Sequence, residues 1–222
     1  MYALRARGHR ARDTELEFDK AVLYYHAIIE LFPENRGWCA DSLSNIAKTL
    51  RAAGTYRNSG DTDKQLYFIQ KIINEYPEHP WAYRGMGVAY FCEKGDYKKA
   101  EKALIQSIET HGPGAWTYGM LLLISVVKKH EEQALYYYNA LKKTSPSADN
   151  LKAAHLNLGH MYRMKKDYSK AEKYYALGKH VFPTGMMIFE SKGADAAREY
   201  FNTIIRTCRT GDEQTQARNG LN

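Results

Sequence analysis

The sequence predicts an all-α fold made of repeated antiparallel helix pairs, and three observations carry that reading. Nearly the same ten letters occur twice, "GDYKKAEKAL" from Gly95 to Leu104 and "KDYSKAEKYY" from Lys166 to Tyr175, 71 residues apart. A recurring structural unit needs such repetition, whereas a single reaction centre does not. Apolar residues through most of the chain fall three or four apart, the spacing that lines one face of a helix. The composition is that of a folded chain, 44% hydrophobic and 26% charged. Its apolar runs fall far short of the roughly 20 residues that cross a bilayer, so no membrane insertion is expected.

Taken in order, residues 1–14 read as a basic arm. Arg5, Arg7, Arg10 and Arg12 supply four of the formal +7, which leaves 28 basic against 25 acidic residues beyond them. In a helix, Arg5 and His9 would stand where a large and a small packing residue belong, so the arm is expected to be flexible. "FDKAVLYYHAIIELFP" then reads as a helix with Phe18, Ala21, Tyr25 and Ile28 on one face and Pro33 after its end. In "LRAAGTYRNSGDTDKQLYFIQKIINEYP", Ala53, Tyr56, Gly60, Asp61, Ile69, Ile72 and Pro77 mark a helix pair, with Gln65 in a small-residue position. The next pair carries Tyr83, Met86, Gly87, Tyr90, Tyr97, Ala100 and Leu104. A weaker pair follows at Ala134, Tyr138, Leu141 and Pro146, where Leu122 replaces the glycine and Ser125 the tyrosine.

The clearest copy is "HLNLGHMYRMKKDYSKAEKYYALGKHVFP", with Leu158, Gly159, Tyr162, Ala171, Tyr175 and Pro183. Small residues at Gly159 and Ala171 let two helices approach closely, and Pro183 is expected to stop the second helix. "PTGMMIFESKG" reads as a short turn and "KGADAAREYFNTIIRTCR" as a closing helix through Ala197, Phe201 and Ile204, before a polar tail over 210–222.

On these residues the chain resembles the tetratricopeptide repeat family, whose unit is a helix-turn-helix of about 34 residues. Ala100 to Ala134 matches that period. The resemblance covers residues 15–209 in about five partly degenerate units. It implies a right-handed superhelical solenoid whose ligand groove is lined by the first helix of each pair. The groove positions so implied are Leu50 and Arg57; Trp81, Arg84, Val88 and Phe91; Trp116, Leu123 and Val127; and His160, Arg163 and Met164. Large apolar residues beside arginines are enriched in binding surfaces. The family mode that holds chaperone carboxylate tails is not matched, since Arg84, Val88 and Met120 occupy its positions.

No chemistry-bearing motif stands out. There is no phosphate-binding Gly-x-x-x-x-Gly-Lys loop, dinucleotide fingerprint or nucleophile elbow. Cys39, Cys92 and Cys208 are widely spaced, and His155 and His160 diverge around a helix, so no metal or other cofactor is expected. The expectation is a non-enzymatic scaffold or adaptor for a protein or peptide ligand with apolar anchors and some acidic residues. Self-association through the solenoid ends, at Tyr25, Ile28 or Phe201, is a secondary expectation. The alternatives are an RNA-associated repeat protein anchored by the arginine arm, which the near balance of charge disfavours, and the docking part of a larger enzyme or regulator. The expected compartment is cytoplasmic, with mitochondrial as the alternative suggested by the acid-free basic start.

Overall fold

The computed structural model describes residues 1–57, 61–207 and 211–221, with the side chains of 55–57 outside the description. The chain divides into two compact units, Met1–Gly112 and Pro113–Asn222. The described residues are helical, joined by short turns.

The first unit holds three helix pairs. They are α1 (Tyr2–Asp13) with α2 (Phe18–Leu31), α3 (Arg36–Arg57) with α4 (Thr62–Glu75), and α5 (Ala82–Val88) with α6 (Tyr97–His111). After Val88 the helix of α5 widens into a π-helical stretch, Ala89–Lys94, which carries Phe91 and Cys92. The second unit repeats the plan with α7 (Ala115–Val127) and α8 (Glu131–Lys143), α9 (Ala148–Met164) and α10 (Tyr168–Leu177), α11 (Val181–Lys192) and α12 (Ala194–Thr207), then α13 (Gly211–Asn219).

The repeated decamers mark repeated caps. Asp61, Asp96 and Asp167 each accept a hydrogen bond from the backbone N–H three residues on, at 2.9, 3.0 and 3.2 Å, and so satisfy an otherwise orphaned donor at the start of α4, α6 and α10. The donating residue is a lysine each time, and its ammonium returns to the same carboxylate at 3.1–3.2 Å. The backbone hydrogen bond is the main reason these carboxyls sit below their usual range.

A second device recurs where the paired helices touch. A side chain added at Gly8 would meet Tyr25 at 2.7 Å, and one at Gly87 would meet Leu104 at 2.7 Å. Gly159 lies in the same way under Tyr175, and Gly185 under Phe201. Each glycine is the place where the first helix lets a bulky residue of the second reach its backbone. Tyr25, Leu104, Tyr175 and Phe201 are all buried, and burying such a side chain contributes about 1.5–3 kcal/mol.

Several expectations need correction. The arginine arm is helix α1, packed on α2 through Gly8 and Ala11, whose side chain joins the Tyr25, Ile28 and Ile46 cluster. The small residue is Gly8, one place before His9, because the turn here is one residue longer than in the clearest copy. Gly8 to Ala21 is 13 residues, as Gly87 to Ala100 is. Residues 183–193, read as a turn, belong as far as Lys192 to helix α11, with Pro183 in its first turn. There a missing N–H costs nothing, since the first-turn donors have no partner inside the helix. The polar tail carries α13, whose Ala217 is buried against Phe201 and Val181. Leu50, expected in the groove, packs instead against the Tyr25 and Ile46 cluster.

Candidate functional site

The first helices of each unit present one stripe away from their paired partner, and the stripes of the two units differ in chemistry. In the first unit, α1 offers Arg5, His9 and Arg12. Arg5 stands 3.6 Å from Asp41 and its guanidinium lies 5.2 Å from the centre of the Trp38 ring. Arg12 is held by Asp13 at 2.6 Å and donates to Asn45 Oδ1 at 3.1 Å. Trp38, Asp41, Asn45 and Lys48 follow one another at helical spacing along α3, so one stripe of α3 receives these contacts.

Lys48 is the centre of this surface. Its ammonium lies 4.8 Å above the Trp81 ring, a cation–π contact, and among the described residues no carboxylate reaches ion-pair distance of it. Burial, then the charge of Arg12, depresses its pKa; Asp41 opposes, and Arg84 and Arg5 add smaller downward pushes. His9 is held down by burial and by Arg12 and Arg5. This half-buried surface therefore concentrates positive charge, although the first unit as a whole has 16 basic and 15 acidic residues.

In the second unit, the stripe on α9 is Leu156, His160, Arg163 and Met164, and the same spacing on α11 gives Phe182, Met186, Phe189 and Glu190. An ion pair of 3.6 Å between Arg163 and Glu190 joins these two helices. On the other flank α7 packs against α9. The remaining exposed members are apolar: Trp116 and Val127 on α7, Met164 on α9, Phe182 and Phe189 on α11. Met164 is 57% and Phe189 51% exposed, far more than packing requires.

Of the expected groove residues, Trp81, Arg84 and Phe91 lie in the first unit. Trp81 is part-buried, with its ring laid over Gly85, and Arg84 donates to the Pro80 carbonyl at 2.9 Å. Val88 and Phe91 are half-buried, and the Phe91 ring sits 5.6 Å from that of Tyr97. Trp116, Leu123, Val127, His160, Arg163 and Met164 lie in the second unit. Leu123 is half-buried, and His160 Nδ1 is hydrogen-bonded to the Tyr175 hydroxyl at 2.9 Å. The side chain of Arg57 lies outside the described residues, as does Cys208. The sequence reading overlooked Arg5, Arg12 and Lys48; the Gly8 register finds the first two, and Lys48 stands at helical spacing from Trp38, Asp41 and Asn45 on α3.

His9 and His160 are equivalent. Each follows the glycine of its helix, and His9 Nδ1 meets the Tyr25 hydroxyl at 3.0 Å as His160 meets Tyr175. Burial pushes the Tyr175 phenol up to about 12 and holds His160 down, so both partners are neutral near pH 7. No group of three or more His, Cys, Asp or Glu able to hold a metal occurs among the described residues. No helix among them is long and apolar enough to cross a membrane.

No family profile and no curated protein matches the chain. Solved structures do. The structure titled MamA protein is 20% identical with a TM-score of 0.58, covering 87% of this chain and 96% of that one. The APC/C hetero-tetramer Cut9–Hcn1 is 15% identical with a TM-score of 0.67, covering 99% of this chain and 42% of that one. Both are tetratricopeptide-repeat structures. The fold is a tetratricopeptide-like helical repeat. At these identities the likeness concerns the fold, and this chain spans well under half the length of the Cut9–Hcn1 chain it matches.

Proposed function

We propose that the chain is a non-enzymatic interaction scaffold, and that the α1–α3–α5 surface of its first unit binds an acidic segment of a partner protein. The observation that carries this reading is Lys48, a half-buried ammonium over the Trp81 ring, with Arg5, Arg12 and Arg84 close enough to depress its pKa. Asp41 and Asp13 pair with Arg5 and Arg12, but the Lys48 ammonium stays among like charges that push its pKa down, and an incoming carboxylate beside it relieves that repulsion. The scaffold role also has the support of the similar structures, one of which is titled a hetero-tetramer. The apolar anchors of the ligand would suit the half-buried Trp81, Val88 and Phe91 beside these cations.

The test is fluorescence anisotropy of a labelled peptide rich in Asp and Glu with one aromatic residue, titrated with the full chain. Lys48→Glu should weaken binding about tenfold or more, and raising the salt from low to physiological should weaken the wild type. A Gln-substituted peptide should not bind. Unchanged affinity in Lys48→Glu would remove the assignment. If single-stranded RNA bound in place of the peptide, with a steep salt dependence lost in the same variant, the nucleic-acid reading would replace it.

A further inference from the structure

The loops that join one helix pair to the next carry opposite charge in the two units. Around the α2–α3 and α4–α5 loops stand Glu30, Glu34, Glu75 and Glu78, against Arg36 and Arg84. Around the α8–α9 and α10–α11 loops stand Lys142, Lys143, Lys152 and Lys179, against Asp149. We infer that the basic loop edge of the second unit pairs with the acidic loop edge of the first unit of a second copy of this chain, so that copies join head to tail. This contact uses neither Lys48 nor the stripes of the first helices.

All four lysines are exposed, and among the described residues no carboxylate reaches ion-pair distance of any of them. Packing draws them to one edge. The Lys142 ammonium lies 4.8 Å from the centre of the Tyr138 ring, and the Tyr138 hydroxyl is hydrogen-bonded to His155 of α9 at 3.0 Å. His180 is hydrogen-bonded to the Lys152 carbonyl at 2.9 Å, which sets the start of α9 beside the turn that holds Lys179. The acidic edge is unsatisfied in its own way. Glu30, Glu75 and Glu109 lie in the last turns of α2, α4 and α6, where the helix dipole disfavours a carboxylate. Among the described residues no cation reaches ion-pair distance of Glu30, Glu34 or Glu109. An incoming cation relieves this edge, as an incoming carboxylate relieves the other.

Exposed ion pairs alone contribute little, so the contact also needs apolar area. Each edge supplies an exposed leucine. Leu31 ends α2 between Glu30 and Glu34 and is 64% exposed, and Leu177 ends α10 two residues before Lys179 and is 55% exposed. An apolar centre inside a charged rim is how protein interfaces are built. Both units stack the same kind of helix pair, so successive loops recur at a similar spacing along each edge, and two loops of one copy can face two loops of another in register. A second copy satisfies both edges of the chain, whereas an unrelated polyanion would leave the glutamates unpaired. The contact joins two different surfaces and is therefore heterologous, so it grows as a ring or an open chain. Tyr25, Ile28 and Phe201, expected to self-associate at the solenoid ends, are buried inside their own units and offer no such surface.

Sedimentation velocity of the full chain over a range of concentrations tests the pairing. At low salt the wild type should sediment faster as its concentration rises, and physiological salt should weaken that association. Lys142→Glu with Lys143→Glu should stay monomeric, and so should Glu30→Lys with Glu34→Lys. All four positions are exposed, so the fold is expected to persist, which far-UV circular dichroism checks. An equal mixture of these two double variants should associate again, because one keeps the acidic edge and the other the basic edge. Lys129→Glu with Lys166→Glu makes the same change of charge in exposed turns at the other end of the helices, and it should associate like the wild type. Leu177→Ser should weaken the wild-type association about tenfold. The inference is overturned if the wild type is monomeric throughout at low salt, if either edge variant associates like the wild type, if their mixture stays monomeric, or if the Lys129, Lys166 variant is monomeric too. Retention of single-stranded RNA by a monomeric wild type, lost in the Lys142, Lys143 variant, would overturn it in favour of a polyanion. The Lys48 titration uses other variants and another readout, so either can fail alone.

Discussion

Helices α1 and α9 open in the same way and then diverge. Each sets a Gly-His pair under a buried tyrosine, with the imidazole on the tyrosine hydroxyl at 3.0 and 2.9 Å. Around that shared joint α1 displays Arg5, His9 and Arg12, and α9 displays Leu156, His160, Arg163 and Met164. The joint is constrained because a bulky ring lies on the backbone, where only glycine leaves room. The neighbouring stripe is free to vary because it faces no partner helix of its own pair. The same repeat thus yields a cationic surface in one unit and an apolar one in the other.

The largest effects should come from the joint. Tyr25→Ala and Tyr175→Ala each leave a cavity over a glycine, at a cost of about 3–5 kcal/mol, read as a lower urea midpoint. A marked inequality between them would show that the two joints are not equivalent. Lys48→Met should act in the opposite direction, stabilising the protein by about 1 kcal/mol while removing acidic-peptide binding. Destabilisation by Lys48→Met would mean that the cation is held by contacts rather than tolerated for binding.

Acid sharpens the comparison. His155, His160 and His180 in the second unit, and His9 and His111 in the first, have folded-state pKa values pushed below the ordinary 6.5, chiefly by burial. The unfolded chain therefore takes up protons first. Their contribution is complete above about pH 6.5 and is lost as the pH falls toward the folded values. Melting temperatures at pH 7.5 and 5.0 should show a fall, smaller in a His155→Gln, His180→Asn variant; no fall would mean these imidazoles are not held neutral by the fold. The smallest effect concerns the turns. Gly95, Lys129 and Lys166 share the left-handed conformation, with φ of 62°, 61° and 59°. Lys129→Gly and Lys166→Gly should each stabilise by about 0.5–1 kcal/mol and Gly95→Ala should destabilise by a similar amount, measured by thermal unfolding.

Legibility in the sequence followed where the hydrophobic pattern was strong. The second helices were readable because their alanine, aromatic and aliphatic residues face a core, and three of them, α4, α6 and α10, begin at an aspartate cap. Helix α1 was obscured because its open stripe is arginine and its fully buried residues are only the small Gly8 and Ala11, with Leu4 partly buried beside them. Helix α11 was obscured by Pro183, which a linear reading takes for a stop and a first turn accepts without penalty. Trp116 and Met164 were reached as groove positions through the resemblance to the repeat family, and both are exposed, whereas Lys48 was missed because the long helix α3 extends ahead of the repeat.

The sequence by itself determined that this protein is a stack of helix pairs, because caps, small residues and 3.6-residue periodicity are local properties of consecutive letters. Only the tertiary structure decided where charge and apolar surface collect. Arg5, Asn45 and Lys48 come from two helices and Trp81 from the residue that precedes a third, and Trp116, Met164 and Phe189 come from three others. Their proximity comes from packing between elements far apart in the chain, which no local spacing encodes.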